Sequence, residues 1–180
     1  VKTIVSLVPV GDVRQDVLDA AAGGIYEGLG LEVDFRPAVP LPKEAFAEER
    51  SQYRAELLLS YLRTLKGTFP LCLGITSVDI YASDLNFVFG IALLKRGLGL
   101  VSYARLDNTF YGLGPNDNLL YQRVAKECLH EIGHALGLEH CENPCVMLFA
   151  NSLMEVDRKP GFYCEQCRYR LKFLLERWSG

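Results

Sequence analysis

Apolar residues recur along this chain with two alternating periods, and each change of period marks the passage from a strand to a helix or back. Positions 1–10, VKTIVSLVPV, are rich in Val and Ile and end near Pro9 and Gly11, as a buried strand does. Val13, Val17, Ala21 and Ile25 then repeat every four residues, a helical stripe that Asp12 can cap and that Gly28 and Gly30 can close. Alternation returns over 31–36, and Pro37, Pro40 and Pro42 make a loop. Leu57, Leu58, Tyr61, Leu62 and Leu65 mark a second amphipathic helix, stopped by Gly67 and Pro70. Three apolar runs follow at 71–81, 86–94 and 98–106, each bounded by Gly, Asp, Asn or a charged pair and each expected as a strand. After Gly112, Gly114 and Pro115, the polar run 116–118 can cap a long helix ending at Gly137.

The order strand, helix, strand, helix, strand predicts an α/β chain with a largely parallel sheet, and the short links between the last strands allow an antiparallel edge. There is no internal repeat and no low-complexity segment. With 180 residues, 49% of them hydrophobic and 23% charged, the chain is expected to form one domain over 1–180. A net charge of -3 provides no positive field for nucleic acid phosphates or an anionic membrane. No apolar run approaches the roughly 20 residues that span a bilayer, and the first ten residues lack the cationic start and cleavage site of a secretory signal. A cytoplasmic monomer with neither nucleic acid nor membrane as a partner is therefore expected.

The chemistry begins at position 130, where the chain reads HEIGHALGLEH. His130 and His134 lie four residues apart and project from one helix face, so two imidazoles can chelate one ion. Gly137 can end the helix and turn the chain, returning His140 as a third ligand. Three protein ligands leave a fourth position for water, the mark of a catalytic rather than structural zinc. Glu131 is then the expected general base for a zinc-bound water. The chain has only 3 histidines, and all of them fall on this motif.

Six cysteines suggest disulfides, but four of them, Cys141, Cys145, Cys164 and Cys167, sit at the spacings of a tetrahedral thiolate site. In a reducing compartment the pattern favours a structural zinc, with disulfides as the alternative. Such a site pins a C-terminal helix whose Leu171, Leu174, Leu175 and Trp178 share one face. Cys72 and Cys128 are expected as buried thiols.

These residues resemble the archaemetzincins, a family of metzincin-like zinc proteins, through HEIGHALGLEH followed by Cys141, Cys145, Met147, Cys164 and Cys167. The likeness extends to VDIYASDLNFVFGIA at 78–92, VSYARL at 101–106 and RVAKECLHE at 123–131, while the N-terminal third matches only in the order of its elements. The resemblance implies a mixed, mostly parallel five-stranded sheet with an antiparallel edge strand, packed on helices that include the zinc-binding one. It implies an upper subdomain over 1–137 and a small C-terminal subdomain over 138–180. It also implies two zinc ions, a catalytic one on His130, His134 and His140 and a structural one on the four cysteines. Met147 is implied as the methionine turn beneath the first ion, with Met154 as the alternative.

Two departures stand out. Three residues separate Cys141 from Cys145 where much of the family has four, and Phe149 stands where some metzincins carry a tyrosine. By resemblance, 86–91 occupies the edge strand that binds an extended peptide, against the alternative of an ordinary buried strand. The expected function is a zinc-dependent peptidase, aminopeptidase-like on short peptides. The alternative is a catalytically silent zinc protein that binds a peptide or protein.

Overall fold

The computed structural model describes residues 3–67 and 69–178. Among them the strands are β1 Ile4–Val10, β2 Glu32–Phe35, β3 Phe46–Ala47, β4 Gln52–Arg54, β5 Leu71–Thr76, β6 Ile80–Tyr81, β7 Gly90–Leu93 and β8 Leu98–Ser102. The helices are α1 Gln15–Leu29, α2 Ala55–Lys66, α3 Asp117–Leu136, α4 Leu153–Arg158 and α5 Glu165–Trp178. Positions 1 and 2 of the first expected strand lie outside the described residues.

Five strands form the main sheet in the order β2-β1-β5-β8-β7. The first four run parallel, and β7 closes the edge antiparallel to β8. Only four residues join β7 to β8, too few for the crossover that parallel strands need. The central strands read as continuous apolar runs because helices cover both faces. On β1, Val5 and Leu7 enter one core with α1 and α3, while Val8 and Val10 enter another with α2. The first core also takes in Leu138, Val146, Met147, Val156, Tyr163 and Leu171, so the C-terminal segment packs on the same face as α3.

Several boundaries differ from the periodicity. The run 71–81 splits at Thr76, whose hydroxyl donates to the Val10 carbonyl at 2.8 Å, and Ile80–Tyr81 joins a second sheet of order β3-β4-β6. The pattern did not foresee that sheet, because its strands are two or three residues long. In the run 86–94 only Gly90–Leu93 pairs as a strand, and in 98–106 the strand ends at Ser102 before a 3-10 turn over Ala104–Leu106. Apolar content does not mark pairing, and in 86–94 only Phe89 is buried.

Helix α1 starts two residues beyond the position Asp12 would cap, and Arg14 occupies the N-cap place. Its guanidinium pairs instead with Asp16 at 2.5 Å and Asp117 at 2.9 Å. Gly28 lies within the helix, and Gly30 alone provides the left-handed cap. On α2 the buried face is Ala55, Leu58, Leu59 and Leu62, while Leu57 and Leu65 are exposed, a rotation of the expected stripe. Helix α3 begins and ends as expected: the Asn116 side chain accepts from the Leu119 N–H at 3.1 Å, and Gly137 terminates it with φ 126°. No helix among the described residues is long and apolar enough to cross a membrane.

Candidate metal centre and active site

The last two turns of α3 carry His130, Glu131 and His134, and the chain after Gly137 folds back to bring His140 against them. The three rings cluster with centroids 4.6, 5.3 and 4.7 Å apart. One ring nitrogen from each lies within 4.8 Å of the others.

Backbone carbonyls decide which nitrogen faces inward. His130 Nδ1 lies 2.9 Å from the Val146 carbonyl, and His134 Nδ1 lies 2.7 Å from the Leu138 carbonyl. A carbonyl only accepts, so each Nδ1 carries the hydrogen and each Nε2 keeps its lone pair. These two Nε2 atoms stand 3.1 Å apart, with no hydrogen to share. Such an arrangement fits a cation between them, since nitrogens on a tetrahedral zinc at about 2.0–2.1 Å stand about 3.3 Å apart. Burial, followed by the Lys159 charge, holds His130 well below the usual imidazole range. Burial also lowers His134 and His140, so all three favour the neutral form that can ligate.

Glu131 points from the same helix and is nearly inaccessible. Burial, and then the neighbouring Glu127 charge, pushes its carboxyl well above the usual range. The edge strand passes directly over it: a Cβ on Gly90 would lie 2.6 Å from Glu131 Oε1, so only glycine fits there. Beneath the site Met147 is fully buried. Its sulfur packs against Gly133, in the helical turn between His130 and His134, where a Cβ would collide with it. Met154, the other methionine, is 61% exposed.

A cleft of about 390 Å³ opens onto the three imidazoles and Glu131, and the stretch 85–92 forms one wall. Phe149 forms part of the rim, with its ring 5.3 Å from that of His140. It has no hydrogen to offer an oxyanion. The expected wall strand at 86–91 is paired only from Gly90 onward, and the preceding residues line the cleft as irregular chain.

Cys141, Cys145, Cys164 and Cys167 converge in a separate cluster, their sulfurs all within 4.8 Å of one another. Cys141 Sγ and Cys164 Sγ are 3.8 Å apart, the separation of two thiolates on a tetrahedral zinc at about 2.3 Å. The N–H groups of Cys164 and Met147 donate to Cys145 Sγ at 3.2 and 3.4 Å. Burial works against ionisation of Cys164, but hydrogen bonds from the Cys167 backbone and the Asn143 amide outweigh it and lower its thiol to about 6. The Cys141 N–H donates to the Met147 carbonyl at 3.1 Å, which ties the cluster to the floor of the histidine site. Cys72 and Cys128 are buried thiols on the sheet and on α3, and burial raises both.

Two residues beside the site escaped the sequence reading. Glu127 lies one turn before Glu131, a spacing that could have flagged it, and Lys159 reaches it from beyond α4, with no local signal. A further contact, from the buried Tyr163 hydroxyl to the Leu129 carbonyl at 2.6 Å, also joins the C-terminal chain to α3.

Comparison with known proteins places this geometry in context. The model of peptidase family M54 matches residues 31–173. The archaemetzincin of Methanocaldococcus jannaschii is 44% identical over 165 residues, which covers 91% of this chain and 90% of that protein. The crystal structure of the archaemetzincin of Methanopyrus kandleri superposes with a TM-score of 0.85 at 40% identity, covering 97% of this chain and 96% of that one. A zinc-dependent peptidase from Methanocorpusculum labreanum superposes with a TM-score of 0.85 at 32% identity, covering 93% and 99%.

Proposed function

The chain belongs to peptidase family M54, the archaemetzincins, and is a zinc metallopeptidase; from that premise we propose that His130, His134 and His140 hold the catalytic zinc and that Glu131 is the general base. The observation that carries this reading is the convergence of two Nε2 atoms 3.1 Å apart beside a buried carboxyl, with a backbone carbonyl against each Nδ1. A zinc ion held there supplies Lewis acidity, polarising the scissile carbonyl and acidifying the attacking water. Glu131 takes the proton from that water and returns it to the leaving amine, a role that its raised affinity for protons suits. Val146 and Leu138 hold the two helical imidazoles in ligating orientation through their carbonyls.

Cys141, Cys145, Cys164 and Cys167 hold a second, structural zinc, which makes two ions per chain. Four thiolates leave no position for substrate, and the Cys141 N–H bond to Met147 supports a role in fixing the floor of the catalytic site. An extended peptide adds to the outer edge of β7, where backbone pairing orients the scissile bond over Glu131. The modest cleft supports short peptides and chain ends as substrates, an aminopeptidase-like mode. Phe149 has no hydrogen-bond donor to offer an oxyanion at the rim of the cleft.

The test is cleavage of a mixed peptide library by the zinc-loaded chain and by Glu131→Gln at matched zinc content. The expected result is cleavage by the first and a loss of about 100-fold or more in the second. Tight peptide binding without cleavage by either protein would contradict the reading and favour a silent peptide-binding zinc protein.

A further inference from the structure

A buried ion pair abuts the histidine site, and the proposed chemistry makes no use of it. Glu127 and Lys159 are each 3% exposed. Lys159 Nζ lies 2.8 Å from Glu127 Oε1, yet that oxygen has no aligned hydrogen bond, so the contact is one of charge with charge. A pair of this kind is a poor source of stability, because desolvation offsets most of the attraction. Its position is more informative. Glu127 precedes His130 by three residues on α3, and the Lys159 ammonium stands 3.4 Å from His130 Nδ1.

That nitrogen has two neighbours with opposite demands. The Val146 carbonyl, at 2.9 Å, only accepts and requires a hydrogen on Nδ1. The Lys159 ammonium only donates and requires a lone pair there. In the first arrangement Nε2 is bare and faces His134; in the second Nε2 carries the hydrogen and cannot ligate. Two arrangements of one ring thus separate a metal-competent site from an incompetent one.

We propose that Glu127 is a positioning residue: by holding the Lys159 ammonium it keeps His130 in the Nδ1–H form, with Nε2 free for the metal ion, and cancels a positive charge that would otherwise oppose that ion. The inference rests on the reading of the three histidines as a metal site. The reach of the ammonium supports it, since Nζ stands 2.8 Å from Glu127 Oε1 and 3.4 Å from His130 Nδ1.

The experiment compares the parent chain with Glu127→Gln, Lys159→Met and the double variant. Imidazole nitrogen NMR on protein without metal at the histidines reads the tautomer, and competition with a chelator reads zinc affinity at the histidine site. In Glu127→Gln the Nε2–H form of His130 is expected to become populated, and zinc affinity to fall at least about tenfold. In the double variant both are expected to return close to the parent values, because the competing cation is gone. A merely structural carboxylate would not be rescued by removing its partner. Unchanged tautomer and affinity in Glu127→Gln, or a double variant no better than the single one, would overturn the inference. Should Glu127→Gln fail to fold, Lys159→Met decides alone: it should keep the Nδ1–H form and bind zinc at least as tightly as the parent, and weaker binding would overturn the proposal. If the parent takes up no zinc at the histidines, the metal-site reading fails, while the tautomers still judge Glu127.

Discussion

Met147 shows how one side chain without a reactive group can govern a site. It has no exposure, its sulfur rests on Gly133, and its backbone carbonyl receives the Cys141 N–H. It therefore fills the space beneath the helical turn that separates His130 from His134, with a soft apolar group that shapes the site without ligating. Met147→Ala is expected to lose about 2–5 kcal/mol of stability in denaturant unfolding, through the lost transfer energy and the cavity left behind. Met147→Leu should lose less than about 1.5 kcal/mol, since volume is nearly kept. If Met147→Ala unfolded at the parent's denaturant concentration, the packing role would fail. At this scale the sequence was informative where chemistry is local. His130, Glu131 and His134 were legible because helical periodicity alone sets their mutual geometry. Lys159 was not, because 29 residues separate it from His130 and only the tertiary fold brings it to the ring.

The helices α1 and α3 pack side by side, and their N-termini are joined by an exposed polar clamp. The Arg14 guanidinium bridges Asp16 and Asp117, and the Tyr121 hydroxyl donates to Asp16. The Arg14 hydrogen bond, then that from Tyr121, lowers the Asp16 carboxyl to about 2 from its ordinary 3.8. The folded value lies below the unfolded one, so the unfolded chain takes up the proton first as pH falls. The stability contributed by the clamp is complete above the unfolded value and is lost as pH descends through the folded one. Asp16→Asn should therefore be less stable than the parent near pH 6, by less than about 1 kcal/mol because the groups are exposed, with the gap closing toward pH 2. Urea unfolding at both values checks this, and a gap that widened in acid would contradict it. The same clamp explains a misread boundary: Asp12 looks like a helix cap, but Arg14 is held outward by carboxylates on two helices and the turn starts later. Strand boundaries failed for a related reason. Runs such as 71–81 carry apolar residues on both sides of the polar break at Thr76, Ser77 and Asp79, and hydrogen bonding divides them between two sheets.

For the whole molecule, the parallel sheet with one antiparallel edge was legible from the order of elements, since short links cannot carry a parallel crossover. That edge places β7 over Glu131, and the same sheet face receives α3 and the C-terminal chain, so the histidine and cysteine clusters border one core. The two clusters share a floor yet use different donors: neutral imidazoles with an open side, and thiols that close on themselves. The direct test of this account is zinc per chain by native mass spectrometry in the parent, His134→Ala and Cys164→Ala. Two ions are expected in the parent and one in His134→Ala, with the remaining ion lost on replacing Cys164 in that background. A single ion in the parent, retained in His134→Ala, would show that the histidine cluster does not hold a metal and would contradict the central claim.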